Sequence, residues 1–265
     1  MSLQKINPST TEAWLKLRNH FYEMQTNSIK EMFANDAQRV EKFHVQWENF
    51  LVDFSKNNIT QETLNLLFEL ADEVGLKQSI KAYFSGEKIN ETENRAVLHT
   101  ALRANENDEV IVDDKNIIPE VFQVKEKIKT FSNEIISGSK KGYTNKAFTD
   151  VVNIGIGGSD LGPAMAVEAL QFYSNHLKTH FVSNVDGDYL METIQKLNPE
   201  TTLFVVVSKT FSTQETILNA ETIKEWFLKS AKQEDVSKHF VAVSTSIKRA
   251  TSFGIDSENI FPMWD

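Results

Sequence analysis

Short apolar runs in the second half of the chain are each followed by a segment of helix length. They cover residues 151–156, 179–182, 202–207 and 240–243, with a weaker fifth candidate at 260–261. Strands that are apolar along their whole length are buried on both faces, as in a parallel sheet with helices packed on both sides. The pattern therefore predicts an α/β fold around a parallel sheet in this part of the chain.

Up to about residue 150 the chain instead shows mostly the three- and four-residue spacing of amphipathic helices. Ser9 and Glu12 have the spacing of a capping box before a first helix. Gly75 is placed to end a later helix, and Pro119 to begin a long helix that ends near Gly138. We also predict helices over residues 40–54 and 96–103, an acidic surface segment over 104–115, and a core containing the clustered Phe and Trp residues between 14 and 54.

The composition argues against several classes of function. The 265 residues include no Cys, so disulfides and thiolate metal sites are excluded, and the six His residues show no metal-type pairing. A net charge of −9 argues against a nucleic-acid surface, which needs a cationic field. The first ten residues lack the apolar segment of a secretory signal, and no apolar run approaches a membrane span. We therefore expect a cytoplasmic protein without a metal, nucleic-acid or membrane partner.

Polar residues follow the predicted strands at the edge where parallel α/β sheets bind their ligands. In chain order these residues are Gly157, Gly158 and Ser159 after the first run, Asn184 and Asp186 after the second, Ser208, Lys209 and Thr210 after the third, and Ser244, Thr245 and Ser246 after the fourth. Hydroxyl groups are present in the first, third and fourth of these turns. The sequence therefore predicts a polar ligand site at this edge of the sheet.

The third turn has the composition of a phosphate site. Ser208, Lys209, Thr210, Ser212 and Thr213 lie between a buried strand and the start of a helix. Free N–H groups and the positive end of the helix dipole attract an anion there, while the hydroxyls add donors and the lysine adds a full charge. The turn therefore predicts a phosphorylated ligand. For single residues, a solvated Lys209 and a simple helix cap at Thr213 remain alternatives.

The first turn, over residues 154–160, has glycines spaced partly as in the dinucleotide-binding fingerprint. Asp160 stands where that fingerprint has Gly or Ala, and its carboxylate would repel a pyrophosphate. We interpret Gly158 as allowing close approach of a ligand and Ser159 as a hydrogen-bond donor to it. A tight connection without a ligand would produce the same glycines. A nicotinamide-dependent oxidoreductase is disfavoured by Asp160 but remains an alternative class.

Taken together, these segments resemble the glucose-6-phosphate isomerase (phosphoglucose isomerase) family. The segments that carry the resemblance, in the order of the family, are residues 52–57, 86–90, 95–99, 152–163, 181–187 and 208–216. Because several separate motifs match in order from about residue 40 to the end, the resemblance is far more specific than any one turn.

The resemblance implies a fold and a set of site residues. Residues 120–265 would form the first of two sugar-isomerase-type αβα sandwiches, each with a five-stranded parallel sheet, after an N-terminal helical region over 1–119. The residues that it assigns to the sugar phosphate are Ser208, Lys209, Thr210 and Thr213. Those assigned to the sugar side of the pocket are Gly158 and Ser159. Glu215 would orient a catalytic histidine, whereas the residues alone favour a glutamate that only complements the helix dipole.

The reaction implied by the resemblance interconverts glucose 6-phosphate and fructose 6-phosphate through an enediol, without a metal or redox cofactor. The full-length protein would be a homodimer. The sequence ends at Asp265, before the family's Gly-Gly-Arg signature, so the second sandwich and the catalytic base, histidine, lysine and arginine would lie outside it. We therefore expect residues 1–265 to bind the phosphate without turnover. A non-catalytic regulatory module that binds sugar phosphates is the alternative.

Overall fold

The computed structural model describes Leu3 and residues 5–264. The chain divides into two compact units, the first ending at Pro119 and the second beginning at Glu120. None of the helices in the described residues combines the length and the apolar character needed to cross a bilayer.

The first unit contains short helices and two β-hairpins. Its helices are α1 (Glu12–Met24), α2 (Ile29–Asn35), α3 (Arg39–Lys42), α4 (Gln61–Glu73) and α5 (Leu76–Ser85), with single 3-10 turns at Pro8–Thr10 and Ala101–Arg103. The antiparallel hairpins pair β1 (His44–Trp47) with β2 (Phe50–Asp53), and β3 (Ile111–Val112) with β4 (Lys115–Asn116). The second hairpin lies in the segment predicted only as an acidic surface excursion.

Helix α1 begins two residues later than its predicted cap. The Thr11 hydroxyl accepts a hydrogen bond from the Trp14 N–H at 3.2 Å, so Thr11 is the N-cap residue. The predicted capping box of Ser9 with Glu12 is wrong. Ser9 lies in the preceding 3-10 turn, where its N–H donates to Asn7 Oδ1 at 3.1 Å.

Two other predicted helix boundaries are confirmed. A capping box between Thr60 and Thr63 starts α4, and Gly75 follows that helix in the left-handed conformation, with φ of 70°. The long helix α6 (Ile118–Ser137) ends before Gly138, whose φ is 72°. Glycine occupies both positions because a Cβ disfavours positive φ.

The helix predicted over residues 40–54 is wrong. Only α3 is helical there, and the rest forms the first hairpin, in which Trp47 pairs with Phe50 across the two-residue turn that Glu48 opens with φ of 48°. In a two-residue hairpin the residues that face each other nearest the turn are three apart in sequence. That spacing is the same as between residues on one face of a helix, and the Trp47 and Phe50 rings do stack, 5.6 Å apart.

The predicted core of clustered Phe and Trp residues is wrong for most of them. Phe43 is buried under the guanidinium of Arg39, 4.5 Å from the ring centroid. The aromatic residues that instead expose 41–66% of their surface are Trp14, Phe21, Trp47 and Phe50. A two-stranded hairpin is a single layer, so its own residues cannot cover both of its faces.

The helix predicted over residues 96–103 is also wrong, since only the 3-10 turn at Ala101–Arg103 forms. Asn90 and Arg95 exchange two backbone hydrogen bonds, each 3.1 Å, across a turn in which Asn94 has φ of 54°. Tertiary context therefore overrides the helical propensity of the Ala and Leu residues in this segment.

The second unit is built on a five-stranded parallel sheet, which confirms the predicted α/β fold. Its strands are β5 (Asp150–Ile154), β6 (Lys178–Val182), β7 (Thr202–Val207), β8 (Phe240–Val243) and β9 (Ile260–Phe261), in the order β6-β5-β7-β8-β9. Its further helices are α7 (Gly158–Ala169), α8 (Gly187–Ile194), α9 (Gln214–Phe227), α10 (Val236–His239) and α11 (Ile247–Phe253). The third, fourth and fifth strands have the bounds that the apolar runs predict.

Alternate residues of the strands pack into two separate cores, one on each face of the sheet. The strand residues of the larger core are Val152, Ile154, Val182, Phe204, Val206, Phe240, Ala242 and Ile260. Those of the smaller core are Leu203, Val241 and Phe261. Because neighbouring residues of a strand point to opposite faces, burial of both faces requires the unbroken apolar runs seen in the sequence.

A buried histidine links the segment before β5 to the sheet through hydrogen bonds. His239 is fully buried, with Nδ1 2.7 Å from the Thr202 carbonyl oxygen and Nε2 3.0 Å from the Tyr143 nitrogen. A carbonyl only accepts and an N–H only donates, so Nδ1 carries the proton and Nε2 accepts. Burial lowers the pKa of His239 from 6.5, although the Thr202 hydrogen bond opposes that shift. The neutral imidazole is therefore the form that the fold selects.

Protonation of His239 is expected to destabilise the protein in mild acid. Since its folded pKa is depressed below the unfolded value, its contribution is complete above about pH 6.5 and is lost as the pH falls toward the folded pKa. His239→Gln should lower the free energy of unfolding at pH 7.5 by about 1–3 kcal/mol. It should also flatten the pH dependence between 7 and 5.5 in urea unfolding.

The matched control is His176→Gln, which removes an exposed imidazole. It should keep the wild-type pH dependence. An unchanged slope in His239→Gln would show that protonation of this imidazole does not limit acid stability.

Candidate functional site

The turns that follow the strands begin along one edge of the sheet. In the register of the parallel strands, Ile154 at the end of β5 lies beside both Val182 of β6 and Val206 of β7. Val207 lies beside Val243 at the end of β8. The polar turns predicted from the sequence therefore begin at adjoining strand ends, where parallel α/β sheets bind ligands.

A tight turn with a buried aromatic anchor follows β7. The Ser208 N–H donates to the Val243 carbonyl oxygen, and the Phe211 N–H closes the turn on the Ser208 carbonyl oxygen, each at 3.1 Å. Phe211 has φ of 49°, an unusual value for a bulky residue, and its buried ring lies 5.8 Å from that of Phe253. Such local strain persists where surrounding contacts hold it and is frequent at ligand sites.

The predicted phosphate residues lie together in this turn. The Ser208 and Thr213 hydroxyl oxygens are 3.1 Å apart, and those of Thr210 and Ser212 are 2.7 Å apart. Lys209 and Thr210 are exposed, whereas Ser208 is buried. The turn therefore presents several hydroxyl groups and one ammonium group over a span of six residues.

The start of α9 provides additional donors. Thr213 is the N-cap residue by position, but in the described part of the chain its side chain makes no capping hydrogen bond. The alternative of a simple helix cap at Thr213 is therefore wrong, since its hydroxyl pairs with Ser208 instead. No acceptor within the described residues serves the N–H groups of Thr210, Gln214 or Glu215. With the helix dipole, such N–H groups form a site for an anion.

The turn after β5 is shaped by close backbone packing. The side chain of Asn153 donates to the Ser159 carbonyl oxygen at 3.0 Å, and a Cβ on Gly155 would come within 2.7 Å of that same oxygen. Gly158 is exposed and Ser159 is half-buried at the start of α7. Among the described residues no hydrogen bond joins either of them to the turn after β7. The structure thus places them at the same edge of the sheet without a direct contact.

Glu215 is half-buried in the first turn of α9, and no hydrogen bond of its side chain is found within the described residues. One turn later, buried Asn219 donates to the Asn184 carbonyl oxygen at 3.0 Å and ties α9 to the turn after β6. The sequence reasoning missed Asn219. The pattern in the sequence that points to Asn219 is an amide side chain four residues after Glu215, on the same face of the helix.

Two buried side-chain oxygens near this edge have no hydrogen-bond partner among the described residues. They are Asp160 Oδ1 in the first turn of α7 and Thr216 Oγ1 in the first turn of α9. A buried polar atom without a partner costs about 1–3 kcal/mol, so such atoms are normally hydrogen-bonded to protein or to water. Both atoms are polar groups that a bound ligand or water would satisfy, and the sequence reasoning did not identify Thr216.

The second unit is an α/β domain with a five-stranded parallel sheet, and its polar turns adjoin at the ends of neighbouring strands. Residues 53–265 match the family model described as phosphoglucose isomerase. The chain belongs to the phosphoglucose isomerase family.

Two relatives show how much of a family member the chain covers. It is 62% identical over 263 residues to a glucose-6-phosphate isomerase from Christiangramia forsetii, covering 99% of this chain and 48% of the relative. It is also similar to a crystal structure of a glucose-6-phosphate isomerase from Chlamydia trachomatis, with a TM-score of 0.78, 25% identity, and coverage of 98% of this chain and 49% of that one. The chain therefore spans about half the length of these relatives.

The close approach at Gly155 leads to a stability prediction. In Gly155→Ala the new Cβ would collide with the Ser159 backbone, so the start of α7 must shift. Overpacking of this kind costs about 1–3 kcal/mol, which urea unfolding would measure.

The matched control is Gly187→Ala at the start of α8, where a Cβ meets no atom within 4 Å. Its free energy of unfolding should stay within about 0.5 kcal/mol of wild type. Equal stability of the two variants would contradict the packing argument.

Proposed function

We propose that this chain provides the hexose 6-phosphate-binding part of a glucose-6-phosphate isomerase, whose reaction interconverts glucose 6-phosphate and fructose 6-phosphate. The observation that carries the proposal is the turn after β7, where hydroxyls and the Lys209 ammonium adjoin a helix start without a side-chain cap. A phosphate monoester carries negative charge and several acceptor oxygens, which suit the positive charge and the hydrogen-bond donors of this turn.

In this proposal the phosphate of the sugar lies over the turn after β7. Lys209 and Thr210 reach it from the exposed side, while Thr213 and Ser208 exchange their mutual hydrogen bond for one to the phosphate. Donors that are already gathered in one turn lose little freedom on binding, which favours affinity.

The carbon chain of the sugar would extend toward the turn after β5. Gly158 would allow its close approach and Ser159 would hydrogen-bond it, in support of which β5 is the direct neighbour of β7 in the sheet. Glu215 would orient a catalytic histidine from elsewhere in the whole protein. Its place at the start of α9, close to the phosphate turn in sequence, supports that assignment.

The reaction would proceed by ring opening and then proton transfer between C2 and C1 through an enediol. A positioned base moves the proton, and a cation stabilises the developing oxyanion. Neither step requires a metal or a redox cofactor. The phosphate, remote from the reacting carbons, would supply binding energy that orients them.

The location, oligomeric state and partners of the whole protein are proposed from its family. The whole protein would be a cytoplasmic homodimer that acts on a soluble hexose phosphate, without a nucleic-acid or membrane partner. The net charge of −9 supports the exclusion of nucleic acid, because a cationic surface is then lacking overall.

Removal of the lysine charge should weaken binding of glucose 6-phosphate. A charge-assisted hydrogen bond contributes about 1.5–3 kcal/mol, so Lys209→Met should raise the Kd roughly 10- to 100-fold in isothermal titration calorimetry. Lys178→Met is the matched control, because this exposed lysine begins β6 at the opposite edge of the sheet. Equal affinity of the two variants would return Lys209 to the role of a solvated surface residue.

Residues 1–265 should bind glucose 6-phosphate but show no isomerisation above background in a coupled assay. The family resemblance assigns the base and the ring-opening residues to the other half of the protein. Clear turnover would mean that a carboxylate of this chain acts as the base. A parallel NAD(H) titration should show no binding, and saturable binding would favour the oxidoreductase alternative.

A further inference from the structure

We propose that the turn after β8 and the following helix α11 form a brace that orients the phosphate turn, with Ser244, Thr245 and Arg249 as positioning residues. The inference rests on the proposed function, because it concerns the same anion site. The brace acts on the carbonyl groups of Lys209 and Thr210, which are the groups that would repel an anion if they turned toward it.

The Lys209 carbonyl oxygen accepts three hydrogen bonds from the turn after β8. The donors are the Thr245 N–H at 2.8 Å, Thr245 Oγ1 at 2.7 Å and Ser244 Oγ at 2.9 Å. A carbonyl oxygen has two lone pairs, so three donors on one oxygen exceed its usual number of partners. The direction of this carbonyl is therefore firmly set.

The fixed carbonyl also fixes the next N–H group. A trans peptide is planar, so the Lys209 C=O and the Thr210 N–H that belong to one peptide unit point in opposite directions. Since the oxygen points to the turn after β8, the Thr210 N–H points away from it. Thr210 is exposed, and no acceptor within the described residues serves this N–H. It is thus presented to the open side of the turn.

Arg249 holds the second carbonyl in the same way. Its Nη1 donates to the Thr210 carbonyl oxygen at 3.0 Å from the exposed face of α11. The contact turns that oxygen toward a cation, and it brings a guanidinium to the edge of an anion site. The guanidinium therefore keeps the Thr210 carbonyl dipole from facing a bound anion, and it adds a positive charge that attracts the anion.

The brace itself is rigidly supported. Ser244 is fully buried, its N–H donates to the Phe261 carbonyl oxygen at 3.1 Å, and its Oγ accepts from the Ser246 N–H at 3.1 Å. On the other side, Phe253 of α11 packs against the buried ring of Phe211. Sheet and helix thus both hold the brace against the phosphate turn, as preorganised binding requires.

The brace is tested by removing its side-chain donors one at a time. Thr245→Val keeps the shape of the residue and removes one donor to the Lys209 carbonyl, and Arg249→Met removes the donor to the Thr210 carbonyl. The matched control is Thr251→Val on α11, whose hydroxyl, among the described residues, donates only to the Ile247 and Lys248 carbonyl oxygens of its own helix. The conservative variant Thr245→Ser keeps the hydroxyl.

Two readouts are recorded on the full 265-residue chain. The first is the Kd for glucose 6-phosphate and for inorganic phosphate by calorimetry. The second is the change that saturating phosphate causes in the amide NMR signals of Thr210 and Ser159. Loss of one positioning hydrogen bond should raise the Kd about 3- to 10-fold. The phosphate-induced shift of Thr210 should shrink while that of Ser159 is kept.

The expected pattern is weaker binding in Thr245→Val and Arg249→Met, with Thr245→Ser and Thr251→Val close to wild type. If the wild type binds at the turn after β7 and Thr245→Val and Arg249→Met bind equally well, the brace is overturned while the proposed function stands. If phosphate leaves the wild-type Thr210 signal unmoved, the proposed function fails instead. Should Thr245→Val unfold, Arg249→Met, whose side chain is exposed, decides the matter through the Thr210 signal: loss of charge alone would raise the Kd but leave the shift at saturating phosphate unchanged.

Discussion

Parallel pairing of β5 with β7 is the interaction on which the rest of the α/β unit depends. These strands lie at the centre of the sheet, and their register sets Ile154 beside Val206, so that both strands end at the same edge. The pairing buries alternate residues of both strands in two cores. It also places the turn after β5 next to the turn after β7. One set of backbone hydrogen bonds thus provides both the stability of the unit and the position of its site.

At the polar edge of this sheet, the direction of the backbone carbonyl groups determines which groups face a ligand. An anion site needs N–H groups that point at the ligand and carbonyl oxygens that point elsewhere. In the turn after β7, carbonyl oxygens accept hydrogen bonds from a threonine and a serine of the turn after β8 and from an arginine of α11. The hydroxyls from which a phosphate site is predicted therefore do not act alone, because neighbouring residues decide which way the backbone faces.

The sequence predicted some elements well and others poorly, for identifiable reasons. The β7 run and the long helix ending at Gly138 were predictable because burial on two faces and a left-handed glycine leave strong local signals. The Trp47 and Phe50 segment failed because a pair three residues apart across a tight turn has the spacing of a helix face. Asn219 and Arg249 were missed because their partners lie 35 and 39 residues away.

The sequence by itself determined the α/β class, the bounds of the third, fourth and fifth strands of the parallel sheet and the hydroxyl-rich turn after β7, since each follows from local composition and period. Only the tertiary structure decided that Thr213 pairs with Ser208 rather than capping α9, and that the Lys209 carbonyl turns toward Thr245. Those choices depend on which strand ends adjoin in the sheet. Strand order is a property of the whole fold and leaves no signal within any one turn.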